Sequence, residues 1–192
     1  MIDRPIRPLF PEGFQHETQV IAMVLSADPE RDPSTLAMIG AGAALAISDI
    51  PFFNLLGAVR VGLIDGKMVP NPTYAETREA DLSIVVAGIE DGIVMVEAAA
   101  DEASEEQVVD AIDFGHECCK KVIDAIRELV GKVGKPKREF PTPQIDKEIY
   151  AQIEKTIRVE LTDALDTAKY EKLESYSRIK AAKHKTVEAF PE

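Results

Sequence analysis

An almost uncharged stretch of thirteen residues, TLAMIGAGAALAI at positions 35–47, is the feature that most constrains the fold of this chain. A helix that is apolar around its whole circumference is normally buried on every side. Asp32 and Pro33 precede the stretch and supply an N-cap and a first-turn proline. The sequence therefore predicts a helix that ends near Ser48 and lies in the centre of the fold. Its two glycines lie inside the helical pattern rather than at a strand-to-helix turn, which argues against a dinucleotide-binding loop.

Five segments rich in apolar and β-branched residues predict strands. They are residues 18–26 (TQVIAMVLS), 57–64 (GAVRVGLI), 67–69, 81–88 (DLSIVVAG) and 93–98 (IVMVEA). The first is expected to be a buried strand. Asp65 and Gly66 join the second segment to the third, and this pair is typical of a hairpin with a type I′ turn. The last two segments predict another hairpin.

A long amphipathic helix is predicted from Ser104 to Gly134. Gln107 lies three residues after Ser104, which is the spacing of a capping box, and the glycine provides the stop. Apolar residues recur along one face of the helix: Val108, Ile112, Cys119, Val122, Ile126, Leu129 and Val133. Cys119 is therefore interpreted as a core side chain rather than a reactive thiol.

The composition changes at residues 135–143 (KPKREFPTP), where three prolines lie among charged residues. This segment predicts a linker. Beyond it the periodicity is helical, and two apolar stripes indicate two helices. The stripes are Ile145, Ile149, Ile153, Ile157, Leu161 and Leu165, then Tyr170, Leu173, Tyr176 and Ile179. The sequence thus predicts an α+β body over residues 1–140 and an all-α segment over residues 141–192.

The charge distribution limits the kinds of partner that the chain can bind. Its net charge of −12 argues against coating nucleic acid by bulk electrostatics. Positions 76–117 contain thirteen acidic residues and one basic residue, whereas positions 120–138 contain seven basic residues and two acidic ones. Any RNA is therefore expected at local basic positions. No run approaches the roughly 18 apolar residues that span a membrane, and the adjacent Cys118 and Cys119 indicate a reducing, cytoplasmic setting.

Arg4 and Arg7 lie among three prolines in the opening sequence MIDRPIRPLFPEGF. The prolines are expected to hold this backbone extended or in turns. A planar guanidinium matches the geometry of a phosphate, so two of them on a stiff segment suit an RNA backbone or inorganic phosphate. The alternative is that Asp3 and Glu12 neutralise them on a solvated loop.

The string IDRPIRPLFPEGF resembles the first core of the bacterial polynucleotide phosphorylase family. AMIGAGAAL, GAVRVGLIDG followed by NPT, DLSIVVAG and AIDFGHE extend the resemblance over the chain, and it is weakest after residue 143. It implies an RNase PH-like fold (ribosomal protein S5 domain 2-like) of mixed sheets with packed helices. Residues 1–50 would end the first half of that core, 51–140 would form its second half, and 141–192 would start a helical linker domain. The chain is thus expected to be a fragment of a longer architecture.

The resemblance implies a parent enzyme that degrades RNA from its 3′ end with inorganic phosphate and Mg²⁺, releasing nucleoside diphosphates. In the family's second core, serines precede the apolar helix, and two aspartates and a lysine lie near the strand ending in VAG. The matching positions here are Asp32-Pro33-Ser34, Thr77, Ser83 and Val85. No catalytic or metal-binding residue is therefore assigned to this chain. Both the metal and the phosphate are expected in the parent's second core.

The resemblance leaves Arg4 and Arg7 as the expected RNA-binding residues, with Arg31, Arg60 and Arg78 as weaker candidates. The expected partners are single-stranded RNA, two further copies in a homotrimer, and proteins of an RNA-degradation complex, without DNA-specific or membrane binding. A first alternative is a purely structural ring module whose arginines bind neighbouring subunits. A second is an autonomous metal enzyme using Glu76, Glu79 and Asp81, although these lie out of register with the family's site.

Overall fold

The computed structural model describes residues 1–141 and 144–189 and divides into two compact units, Met1–Thr142 and Pro143–Glu192. The first unit contains four helices and four strands: α1 (Asp3–Ile6), α2 (Ser34–Ile47), β1 (Gly57–Ile64), β2 (Lys67–Pro70), α3 (Tyr74–Glu79), β3 (Leu82–Ile89), β4 (Gly92–Ala100) and α4 (Glu105–Val133). The second contains α5 (Lys147–Ala164) and α6 (Lys172–Ala189). None of the described helices combines the length and apolar character needed to cross a bilayer.

The strands form one sheet in the order β2-β1-β3-β4, and all three pairings are antiparallel. The resemblance implied mixed sheets, whereas the described strands form this single antiparallel sheet. The α+β class is confirmed. Asp65 and Gly66 both have positive φ, 48° and 73°, as the predicted type I′ turn requires.

The sheet is buried on both faces because its two central strands alternate apolar side chains between two helical layers. Val59 and Val61 of β1 belong to a cluster with α4, and Ala58 belongs to a second cluster with α2. In β3, Ile84 and Val86 face α4, whereas Val85 packs on the opposite side. The first unit is therefore a three-layer arrangement, with α1 and α2 on one face of the sheet and α4 on the other.

The prediction of a buried strand at residues 18–26 is wrong. The segment has no regular secondary structure, and the exposed fractions of Ile21 and Leu25 are 71% and 89%. A strand is stable only when a neighbour accepts and donates its ladder hydrogen bonds, and no described strand pairs with this segment. It lies instead along an open groove of about 580 Å³ beside α2.

The apolar helix forms as predicted, but it is not buried on every side. Met38 and Leu45 face the core, whereas Leu36 on the groove side is 69% exposed. The helix begins one residue later than predicted, because Pro33 rather than Asp32 is its N-cap residue. Asp32 still accepts a hydrogen bond from the backbone N–H of Ser34 at 2.9 Å.

The capping box of α4 is confirmed, since Ser104 and Gln107 exchange side-chain to backbone hydrogen bonds. The buried stripe lies slightly around the helix from the predicted one and consists of Ala111, Gly115, Cys119, Ile123 and Ile126. Leu129 and Val133 lie beyond the sheet, with exposed fractions of 39% and 56%. The small residues take the most buried places because α4 packs closely on β1 and β3.

The N-terminal segment is more helical than its prolines suggested. Asp3–Ile6 form one α-helical turn, and Arg7–Leu9 continue as a 3-10 turn. Proline fits the first turn of a helix because it needs no backbone donor there. Pro5, Ile6 and Leu9 are buried against the sheet, and this side fixes the segment in place.

The first half of the predicted linker is attached to the body of the first unit. The backbone N–H groups of Lys135 and Arg138 donate to Ile47 and Asp49, at 3.0 and 2.7 Å. Residues 142 and 143 of the predicted linker lie outside the described residues. The second unit is the helical pair α5 and α6, in which Tyr170 donates a hydrogen bond to Asp163 at 2.8 Å.

Many apolar side chains of the helical pair are exposed. They include Ile145, Ile149, Tyr150, Val159, Leu165, Leu173, Tyr176 and Val187. Two helices cannot cover both faces of each other, which accounts for this exposure.

Candidate functional site

Arg4 and Arg7 lie on the exposed side of α1 and the 3-10 turn that follows it. Their side chains are 59% and 77% exposed, while Ile6 on the opposite side is buried. One helical turn thus anchors the segment by its apolar side and places both guanidinium groups in solvent. The structure therefore brings together the two residues that the sequence selected.

Each guanidinium already has a carboxylate partner. Arg4 donates from Nη1 to Oε2 of Glu97 at 2.9 Å. Arg7 binds Asp3 with two hydrogen bonds, from Nε at 3.1 Å and from Nη2 at 2.8 Å. The expected neutralisation by Asp3 is present, but Glu97 takes the place that the sequence suggested for Glu12.

A cleft of about 500 Å³ separates α1 from the edge strand β4. Asp3, Arg4, Arg7, Pro8, Val94, Met95 and Val96 line it. Arg4 lines the cleft, and its ion pair with Glu97 connects α1 with β4. The cleft thus combines apolar side chains with two cations and the carboxylate of Asp3.

Phe10 and Phe14 line a pocket with Arg7, but their rings pack mainly on other aromatic side chains. Phe10 packs against the core and meets Phe52 edge-on, with ring centroids 5.4 Å apart. Phe14 lies parallel to Phe10 at 5.5 Å and edge-on to Phe140 at 5.8 Å. This cluster anchors the segment that carries the arginines.

Asp32, at the position of the family's serine cluster, forms an ion pair with Arg60 at 2.7 Å. The guanidinium also donates to the hydroxyl of Ser83 at 3.3 Å, and this serine occupies one of the family's aspartate positions. Partial burial raises the pKa of the Asp32 carboxyl, but the hydrogen bonds from Ser34 and the charge of Arg60 outweigh it, so the pKa lies below its usual value. An internal carboxylate therefore occupies the face of Arg60 that an external anion would need.

The alternative carboxylate set does not form a metal site. Glu76 accepts hydrogen bonds from the backbone N–H and the hydroxyl of Thr73, at 2.7 and 2.8 Å, and so caps α3. These hydrogen bonds lower the pKa of Glu76. Within residues 1–141 and 144–189, no group of three or more His, Cys, Asp or Glu side chains could hold a metal ion.

The remaining sequence candidates have structural roles or are simply exposed. Arg31 donates to the backbone carbonyl of Asn71 at 2.8 Å, and Arg78 lies on the exposed helix α3. Cys119 is fully buried, and burial raises the pKa of its thiol to about 12. This confirms its interpretation as a core side chain.

Lys137 has a structural role, at the end of α2, that the sequence did not predict. Its ammonium donates to the backbone carbonyls of Leu45, Ala46 and Ser48, at 2.9, 2.8 and 2.9 Å. These carbonyls lie at the end of α2, where a cation is favourable. Desolvation lowers the pKa of Lys137. These contacts could not be predicted from the residues around Lys137, because the three acceptors lie 92, 91 and 89 residues earlier in the sequence.

Comparison with known proteins assigns this architecture to a class. Residues 1–51 match domain 1 of the 3′ exoribonuclease family (RNase PH), and residues 54–118 match domain 2 of the same family. The chain belongs to the 3′ exoribonuclease family.

Among curated proteins, the chain is similar in sequence to polyribonucleotide nucleotidyltransferases. The protein of that name from Solibacter usitatus is 61% identical over 192 residues, which are 100% of this chain and 27% of the relative. The one from Koribacter versatilis is 54% identical over 99% of this chain and 23% of its own length. The chain thus spans about a quarter of the length of these curated relatives. Among solved structures, the crystal structure of rice (Oryza sativa) Rrp46 has a TM-score of 0.48 and 19% identity, over 53% of this chain and 49% of that chain.

Proposed function

We propose that this chain forms the non-catalytic, RNA-binding core of a phosphate-dependent 3′→5′ exoribonuclease that releases nucleoside diphosphates in mRNA turnover. The 61% identity with a polyribonucleotide nucleotidyltransferase over the whole chain supports the parent activity. The observation that carries the RNA-binding role is the exposure of Arg4 and Arg7 on one wall of the cleft beside β4. Two cations on a fixed helical turn suit the repeating phosphates of a single strand.

The absence of phosphorolytic chemistry in this chain is inferred from its side chains. Phosphorolysis needs donors for the attacking phosphate and carboxylates for a divalent metal. Asp32 places a negative charge beside Arg60, and Val85 is buried in the core where the family has its lysine. Inorganic phosphate and Mg²⁺ therefore belong to the second core of the parent enzyme.

RNA is expected to be held by its phosphates and not by its bases. Phosphate contacts position a strand without reading its sequence. Base stacking needs an exposed aromatic platform, and Phe10 and Phe14 pack against each other and the core instead. The parent is further expected to be a cytoplasmic homotrimer that joins an RNA-degradation complex. The alternative is a purely structural ring module in which the arginines bind neighbouring subunits.

The 192-residue chain is expected to release no nucleoside diphosphates from poly(A) in the presence of inorganic phosphate and Mg²⁺. The reason is the lack of the serine, aspartate and lysine set. Thin-layer chromatography of radiolabelled products provides the measurement. Diphosphate release that disappears on changing Glu79 or Asp81 would contradict this and support the autonomous metal enzyme.

The RNA-binding role is tested by changing Arg4 and Arg7 to alanine in the same chain. Fluorescence anisotropy with labelled 15-mers of adenylate and uridylate should show weaker binding, by a similar factor for both sequences. The log–log dependence of affinity on salt should flatten by about 1.4, since each single-strand phosphate contact contributes roughly 0.7.

The matched control is Arg127→Ala with Arg158→Ala, which removes two exposed, ion-paired arginines from α4 and α5. The control should bind RNA with nearly unchanged affinity and salt dependence. Equal losses in both double variants would show only a net-charge effect. Normal RNA binding by the Arg4 and Arg7 variant, together with altered assembly in light scattering, would establish the structural alternative.

A further inference from the structure

The two arginines of the cleft are bound by carboxylates in the RNA-free chain. Glu97 reaches Arg4 from the edge strand β4, and Asp3 binds Arg7 from one helical turn earlier. A phosphate that approaches either guanidinium meets a group of the same charge. A phosphate therefore either displaces the carboxylate or binds the remaining N–H donors beside it, and the negative charge weakens the contact in both cases.

We propose that Glu97 and Asp3 are internal competitors of RNA, which make each phosphate contact at Arg4 and Arg7 weak and readily exchanged. The inference rests on the proposed function, because it concerns the regulation of that same site. Its consequence is that the two carboxylates limit the affinity of this site for RNA.

The exposure of all four side chains decides how strong this competition is. The partners are 59% and 51% exposed in the Arg4–Glu97 pair, and 77% and 68% exposed in the Arg7–Asp3 pair. Exposed ion pairs are weak, so RNA can open them, and each one lowers RNA affinity by about two- to fivefold. A buried pair would instead keep the site closed.

The two pairs differ in what their opening allows. Asp3 and Arg7 are neighbours on one helical turn, so opening this pair needs only a change of side-chain rotamer. The Arg4–Glu97 pair joins α1 to β4 across 93 residues of sequence, and Arg4 lines the cleft. Its carboxylate is held by a different element from its cation, so neutralising Glu97 removes a contact that α1 cannot replace locally, and the larger effect is assigned to Glu97.

The test measures RNA affinity of the 192-residue chain by fluorescence anisotropy with a labelled adenylate 15-mer at low salt. The variants are Glu97→Gln and Asp3→Asn, which keep the size of each side chain and remove its charge. The matched control is Glu128→Gln, because Glu128 forms an equally exposed pair with Lys132 on α4, on the opposite face of the sheet. All three variants change the net charge by one unit, and circular dichroism melting verifies that each one folds.

Glu97→Gln is expected to bind RNA two- to fivefold more tightly than Glu128→Gln, and Asp3→Asn by a smaller factor. In an Arg4→Ala background, the advantage of Glu97→Gln over the control should disappear. Equal affinities of Glu97→Gln and Glu128→Gln would overturn the competition, provided that Arg4→Ala itself weakens binding. If Arg4→Ala and Arg7→Ala leave affinity unchanged, the proposed function fails instead, so the two failures are distinguishable.

Discussion

Arg60 and Asp32 form the least exposed ion pair among the described residues of the first unit. The side chain of Arg60 is 21% exposed and that of Asp32 is 28% exposed. Changing Asp32 to Asn leaves the guanidinium partly buried without a counter-charge. We expect a loss of about 1–2 kcal/mol in the free energy of unfolding, between the values for exposed and buried pairs. Urea titration at pH 7 gives the measurement. The control Glu128→Gln should change stability by less than about 0.5 kcal/mol.

The contribution of Asp32 should depend on pH in a defined direction. Its pKa in the folded chain lies below its ordinary value of 3.8. The stabilisation is therefore complete above that value and is lost as the pH falls through the folded-state pKa. The difference between the wild type and Asp32→Asn should be equal at pH 7 and pH 5 and smaller below pH 3.8. A difference that already shrinks between pH 7 and pH 5 would assign the effect to another group.

At the level of single residues, the sequence indicated which arginines are exposed more reliably than which carboxylates form ion pairs with them. Arg4 and Arg7 were selected by their chemistry together with the family resemblance. The partner Asp3 was predictable because it lies one helical turn from Arg7, whereas Glu97 is separated from Arg4 by 93 residues. Only the packing of α1 on β4 brings that pair together, and no local pattern contains this information.

Two glycines of α4 have opposite roles, and both are testable within one helix. A Cβ at position 115 would lie 2.7 Å from Cγ2 of Val86, a stiff β-branched side chain in the sheet. Gly115→Ala should therefore destabilise the chain by about 1–3 kcal/mol through overpacking. A Cβ at position 131 would meet nothing within 4 Å. Gly131→Ala should stabilise by up to about 1 kcal/mol, because alanine has the higher helix propensity.

Thermal and urea unfolding of the two variants provide the measurement. A neutral Gly115→Ala would mean that α4 can move away from the sheet without cost. A destabilising Gly131→Ala would mean that the last turns of α4 depend on the flexibility of glycine.

At the level of elements, local patterns predicted what forms autonomously and failed where a neighbour decides. The turn at Asp65 and Gly66 and the cap at Ser104 depend on residues adjacent in sequence, and both were correct. Residues 18–26 have the composition of a strand, but strand formation requires a partner edge. The sequence of α2 is likewise apolar on every side, but burial of a side requires a neighbouring element, and the side that carries Leu36 has none covering it among the described residues.

At the scale of the whole molecule, the sequence predicted a change from an α+β body to helices but could not predict how the body ends. Its charged, proline-rich composition suggested a free tether from residue 135 onward. The structure attaches residues 135–140 to the end of α2 through backbone hydrogen bonds and through Lys137. Phe140 also contacts Phe14, so this attachment reaches the segment that carries Arg4 and Arg7.

Loss of the Lys137 ammonium should release this attachment. Lys137→Met removes the donor to three carbonyls while keeping an unbranched side chain. Arg138 remains as a trypsin site in this variant, directly before Glu139. Cleavage after Arg138 should become several-fold faster, because proteolysis requires local opening of the bound backbone. The control Lys132→Met removes an exposed lysine of α4 and should leave this rate unchanged. Mass spectrometry of timed digests measures the rate. Equal rates in both variants would mean that the backbone hydrogen bonds of Lys135 and Arg138 hold the segment without the ammonium of Lys137.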